Sequence, residues 1–140
     1  METVPRATLQ PWFVTGFADA HAAFTFSRGG RGHIDLYFAV KRPTGDRPLL
    51  EAIQKFFEGA GRIYAVKTRN ASYYRVSRPD ELRRVAAHFE QYPLQSPMKR
   101  EIYEVWREMV LHKRIFGTEG GERLGKLARQ LSGLTHAQVR

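Results

Sequence analysis

Two stretches of this sequence alternate apolar residues with basic, hydroxyl and aromatic ones, a mixture suited to contact with a polyanion. In the first stretch Thr25, Ser27, His33, Tyr37 and Lys41 share one parity. In the second, Lys67, Arg69, Tyr73 and Arg75 do the same, with Arg62 at its start. Arg28, Arg31, Arg42 and Arg47 fall at the tips and ends of these segments. Cationic heads meet phosphate oxygens, while hydroxyl, phenol and imidazole groups can exchange hydrogen bonds with base edges. A strand face or β-ribbon carrying such groups fits the major groove of a duplex. Other chemistries lack their residues. Cysteine is absent, which excludes a disulfide scaffold, a thiolate zinc site and a cysteine nucleophile. His33, His88, His112 and His136 show no ligand spacing, and no nucleotide loop or hydrolytic triad is present.

The whole chain agrees with that reading. Its 140 residues suit one domain, here taken as 1–140 with a core over about 10–116 and a final helix over about 119–135. With 42% hydrophobic and 26% charged residues it has the composition of an ordinary globular protein. Lys and Arg number 23 against 14 Asp and Glu, a net charge of +9 that favours anionic partners. No apolar run approaches the ~18–20 residues needed to span a bilayer. Pro5 and Pro11 interrupt the start, so no secretory signal is expected. A cytoplasmic or DNA-associated protein with no membrane partner is the expectation.

The elements that position these groups can be read from periodicity. A helix is expected from Trp12 to Ala22, opened by Pro11. It carries large residues (Phe13, Val14, Phe17), expected to enter the core, and small ones (Gly16, Ala20, with Ala23 beyond), expected to admit another backbone at close range. Residues 23–28 and 33–42 alternate as a hairpin around Gly29-Gly30-Arg31-Gly32, with Ile34, Leu36, Phe38 and Val40 on its dry side. A helix from Pro48 to Glu58 follows, and then a second hairpin, 62–68 and 73–78. Ser77 to Glu81 carries helix-start chemistry for a helix ending near Gln91. Another helix spans Met98 to Arg114, and the last places Leu124, Leu127, Leu131 and Leu134 on one stripe, facing the domain or a partner. Trp12 and Trp106 are expected in the core. Two hairpins sharing one four-stranded antiparallel sheet, with helices on one face, give an α+β domain.

Val14-Thr15-Gly16-Phe17-Ala18-Asp19-Ala20-His21-Ala22 resembles the helix motif of the LAGLIDADG homing endonuclease family. Leu50 to Phe57, Gly61 to Tyr64, His88-Phe89 and Tyr92-Pro93-Leu94 follow in that family's order, so the resemblance covers about residues 12–115. It implies an αββαββα fold, here with an extra C-terminal helix. One motif per chain implies a homodimer in which two motif helices pack together, with Trp12, Gly16, Asp19, Ala20 and Ala23 at the interface. The two sheets would then form a saddle on double-stranded DNA.

In that family the eighth motif residue is an acid that helps hold Mg2+ at the scissile phosphate. Here it is His21, and imidazole is a poor ligand for an ion that seeks hard oxygen. Asp19 matches the motif's other acid and lies about 200° around the helix from His21, which suits a structural role better than metal ligation. Arg42 stands where many single-motif nucleases carry Gln near the end of the second strand, and Lys99 or Arg100 falls where they place a Lys. By resemblance, then, His21, Asp19, Arg42 and Lys99 occupy the catalytic positions. The expectation is a DNA-binding homodimer with cleavage lost or weakened. An active Mg2+-dependent endonuclease and an RNA-binding, maturase-like factor are the alternatives.

Overall fold

A computed structural model describes residues 8–30, 33–116 and 121–138. The chain runs α1 (Pro11–His21), β1 (Ala22–Arg28), β2 (Ile34–Pro43), α2 (Arg47–Phe56), β3 (Arg62–Val66), β4 (Ala71–Val76), α3 (Pro79–Gln91), α4 (Pro97–Phe116) and α5 (Gly121–Gln138). The four strands make one antiparallel sheet in the order β1-β2-β4-β3. This is the expected αββαββα order followed by two further helices.

Proline marks the helix starts. Pro11, Pro48, Pro79 and Pro97 occupy the first turns of α1 to α4, where the missing N–H costs no helical bond. The capping expected at Ser77 to Glu81 does not form. Arg78 is the N-cap of α3 and makes no side-chain cap, while Glu81 Oε1 accepts from the Gly61 N–H across the fold at 3.1 Å. Gly61 (φ +76°) lies under the sheet edge, where a Cβ would stand 2.5 Å from the Arg75 carbonyl oxygen. Only glycine fits there.

Strand alternation separates two environments. Phe24, Phe38, Val40, Tyr74 and Val76 point to the helical side and are buried. Phe24 meets Phe89 of α3 and Tyr103 and Trp106 of α4 at ring separations of 5.2–5.3 Å, and Phe38 meets Phe57 at 6.0 Å. Edge-on rings of this kind add about 0.5–1.5 kcal/mol each beyond their area. The Trp106 indole N–H also reaches the Thr25 and Tyr37 carbonyls, 3.1 and 3.2 Å away, fastening α4 to the β1–β2 pair.

Three expectations need correction. Of the large residues of α1, Val14 enters the core as expected and Phe17 packs against it, but Phe13 does not. Val14, Thr15 and Ala18 are buried, Phe17 is half-buried, and Phe13 is exposed beside Gly16 and Ala20. Trp12 is not core either: it is 53% exposed, with Tyr92 as an edge-on neighbour. The second hairpin is shorter than expected, because Lys67 to Arg69 form a 3-10 turn closed by Asn70 at φ +49°. The last helix is settled onto its own domain: Leu124, Leu127 and Leu131 are buried, and α5 packs against α4. No described helix is long and apolar enough to cross a membrane.

Candidate nucleic-acid interface and the end of the first helix

The face of the sheet opposite the helices carries the basic and aromatic residues. Strand register sets Thr25 beside Tyr37, Lys41 beside Tyr73 and Tyr73 beside Tyr64. Arg75 lies between Ala39 and Arg62. Because Ala39 is short, the Arg75 guanidinium can lie over the Tyr37 ring, 3.7 Å from its centroid. Tyr64 and Tyr73 stack at 5.5 Å with nearly parallel planes, and the Lys41 ammonium sits 5.9 Å from the Tyr73 ring. Such stacking holds cationic side chains in place while leaving their outer edges free to donate.

Most of the expected contact residues occupy this face or its rim. Thr25, Ser27, Tyr37, Lys41, Arg62, Tyr73 and Arg75 lie on it, and His33 is exposed just before β2. Lys67 and Arg69 are exposed in the β3–β4 turn rather than on a strand. Arg28 is the exposed last residue of β1, at a strand tip as expected. It pairs with core residue Ile34, and its guanidinium lies on Phe26, so its parity is that of the helical side. Arg31 lies outside the described residues. Tyr64 was missed, although its spacing from Arg62 places both on one parity of β3.

The C-terminal end of α1 gathers the other expected residues. His21 ends the helix, is exposed, and its ring packs 4.8 Å from Phe17. Arg42, two residues beyond the Ala22–Val40 pair, brings Nη1 to 3.4 Å from His21 Nδ1. Asp46 holds that arginine through a 2.7 Å bond to its Nε. Asp46 was not anticipated, since nothing in strand or helix periodicity links the 3-10 turn at 44–46 to Arg42. Lys99 of α4 donates its ammonium to the Ala22 carbonyl, at the end of α1. Burial pushes the Lys99 pKa below the usual lysine value, with the Asp19 carboxylate pulling the other way.

Asp19 faces a different neighbour. Its Oδ2 accepts from the Gln95 N–H at 2.7 Å and its Oδ1 from the Ser96 N–H at 3.2 Å, just before α4. These contacts tie the end of α1 to the start of α4. Behind Asp19, Thr15 donates its single hydroxyl proton to the Tyr92 carbonyl at 2.7 Å, so His88 Nε2, 3.0 Å away, is the donor to Thr15 Oγ1. Burial among Phe56, Phe57 and Phe89 pushes the His88 pKa down to about 4, which keeps the ring neutral at pH 7.

These donors do not fit Mg2+. The ion prefers oxygen ligands in octahedral geometry. At the end of α1, however, the carboxylates are engaged by Arg42 and by backbone N–H groups, and the remaining heads are an imidazole, a guanidinium and an ammonium. Among the described residues no group of three or more His, Asp or Glu could hold a metal ion.

The family model for LAGLIDADG endonuclease matches residues 14–110. "Probable intron-encoded endonuclease 2" of Neurospora crassa is 35% identical over 95 residues, 63% of this chain and 21% of the relative. An "Uncharacterized 50.9 kDa protein in ND4 intron 1" of Podospora anserina is 31% identical over 117 residues, 78% of this chain and 25% of that protein. The chain therefore spans about a fifth to a quarter of the length of these curated relatives. Among solved structures, the LAGLIDADG meganuclease I-AabMI bound to uncleaved DNA aligns with a TM-score of 0.78 and 30% identity, covering 86% of this chain and 44% of that one.

Proposed function

The chain belongs to the LAGLIDADG endonuclease family, and on that premise we propose that it binds double-stranded DNA as a homodimer, with cleavage lost or much weakened. The open sheet face carries this reading. Arg62, Arg75 and Lys41 are spread among three tyrosines on a helix-free surface, with Arg75 and Lys41 set against aromatic rings. That arrangement offers fixed donors to base edges and cations to phosphates. The DNA-bound state of I-AabMI supports the same use of this scaffold.

Self-association is the reading for the uncovered face of α1. Trp12 and Phe13 are 53% and 46% exposed there, alongside Gly16 and Ala20, whereas Ala23, expected on the same face, lies in β1 opposite Ala39. A Cβ on Gly16 would meet nothing within 4 Å in its own chain, so the cost of a helical glycine is not offset inside the domain. Close approach of a second helix would offset it. Asp19, at the edge of this face, is already engaged by the α4 start.

The names of the relatives favour a second reading, endonuclease cleavage, which the family resemblance makes Mg2+-dependent. It would require Mg2+ and oxygen donors that the end of α1 does not supply. One experiment separates the two: selection on a randomised duplex library in EDTA and in Mg2+, with molar mass measured in parallel. Dimeric, salt-dependent duplex binding without cleavage supports the proposal. EDTA-sensitive cleavage supports the second reading. A monomer with no duplex affinity, or one that prefers RNA at equal salt, overturns the proposal.

A further inference from the structure

We infer that the C-terminal end of α1 is a phosphate-oxygen site built from donors, in the place where the family resemblance put a divalent metal. Arginine can only donate, so its 3.4 Å contact with His21 makes Nδ1 the acceptor and leaves the imidazole proton on Nε2. His21 is exposed, and its Nε2–H is therefore a donor free to meet a ligand. Arg42 keeps further N–H groups beyond those directed at Asp46 and His21, and Asp46 fixes the plane from which they project. Lys99, bound to the carbonyl of the residue after His21, adds an ammonium at the same helix end.

The carboxylates nearby do not reverse this polarity. Both Asp19 oxygens accept backbone N–H groups at the start of α4, and Asp46 Oδ2 accepts from Arg42. Apart from the second Asp46 oxygen, the groups left to a ligand are donors, which favour an anion over a divalent cation. The ligand class is a phosphate oxygen. Its natural source, a phosphodiester of the DNA backbone, rests on the duplex-binding reading above, whereas the chemistry of the site does not.

The test uses the isotope-labelled 140-residue protein and three probes added separately: inorganic phosphate, MnCl2, and a duplex in EDTA. Phosphate is expected to shift the Arg42 Nε–H and His21 ring signals in a saturable way. Mn2+ is expected to leave those signals unbroadened, and His21→Asp to acquire Mn2+ broadening there. Duplex affinity in EDTA should stay within about twofold on adding Mg2+ at constant ionic strength, and Arg42→Gln should lower the salt slope by about one. Broadening of the wild-type His21 signals by Mn2+, or no response to phosphate at saturation, overturns the inference. If the protein binds no duplex but still answers phosphate, the DNA reading fails and this site stands. A matching unfolding midpoint for Arg42→Gln and wild type guards against misfolding.

Discussion

The two faces of the sheet come from the same strands yet solve opposite problems. On the helical side, Phe24, Phe38 and Tyr74 are buried among one another, Phe57 just past α2, and rings of α3 and α4, so aromatic surface is covered by other aromatic surface. On the open side, Tyr37, Tyr64 and Tyr73 are equally aromatic, but their neighbours include Arg75 and Lys41 and the rings remain partly wet. Aromatic content alone therefore does not mark a core. The partner of each ring does: another ring removes water and gives stability, whereas a cation keeps a surface polar while limiting its motion. The first face should respond to mutation in stability and the second in binding.

That division can be broken most sharply at Trp106. Trp106→Ala removes a buried indole and its two bonds to strand carbonyls, and should cost about 3–5 kcal/mol by urea unfolding. A loss below about 1 kcal/mol would sink the claim that this face holds the fold. Next comes Gly61→Ala, where the new Cβ meets the Arg75 carbonyl at a positive φ. About 2–3 kcal/mol should be lost, and disturbed Arg75 signals in the same spectra would show that the damage reaches the open face.

His88 tests the covered side through pH. Its pKa falls from 6.5 when unfolded to about 4 when folded, so the unfolded chain binds more protons between those values. Stability is complete above about pH 6.5 and declines as pH falls towards 4. The loss should be on the order of 2 kcal/mol once solvent screening is allowed for. Comparing unfolding midpoints of wild type and His88→Gln across this range isolates it, since the variant should lose most of that slope.

Arg75→Ala turns to the open face. Duplex affinity should fall about tenfold with stability changed by less than about 0.5 kcal/mol; a large stability loss would erase the distinction between the faces. The smallest effect belongs to Gly16→Ala. The isolated domain should gain up to about 1 kcal/mol, and sedimentation should show weaker self-association. Unchanged association would exclude close helix contact at Gly16.

Much of this arrangement was legible in the sequence because strands have a period of two. Alternation at Ile34, Leu36, Phe38 and Val40 marks the dry side, and the opposite parity assigns Tyr37 and Lys41 to the open one. At the strand end the alternation stops deciding exposure: Arg28 has the parity of the helical side yet lies in solvent. On α1 the size of a side chain was the wrong guide, because Phe13 and Trp12 are large yet exposed while the smaller Thr15 and Ala18 are buried. At the helix end, His21, Arg42 and Lys99 were nominated by resemblance, whereas Asp46 was invisible. Its link to Arg42 depends on a 3-10 turn that brings the chain back beside the strand.

The contacts between α1 and α4 run in both directions. Asp19 near the end of α1 takes the N–H groups of Gln95 and Ser96 at the start of α4, while Lys99 in the first turn of α4 caps the carbonyl of Ala22 just past α1. Each helix supplies the charge that the other's terminus needs. The motif helix and residues 95–99 are thus matched to one another. A chimera that imports a motif from another chain without this segment would pair an acid with the wrong backbone, so recombination boundaries belong after Lys99 rather than after His21.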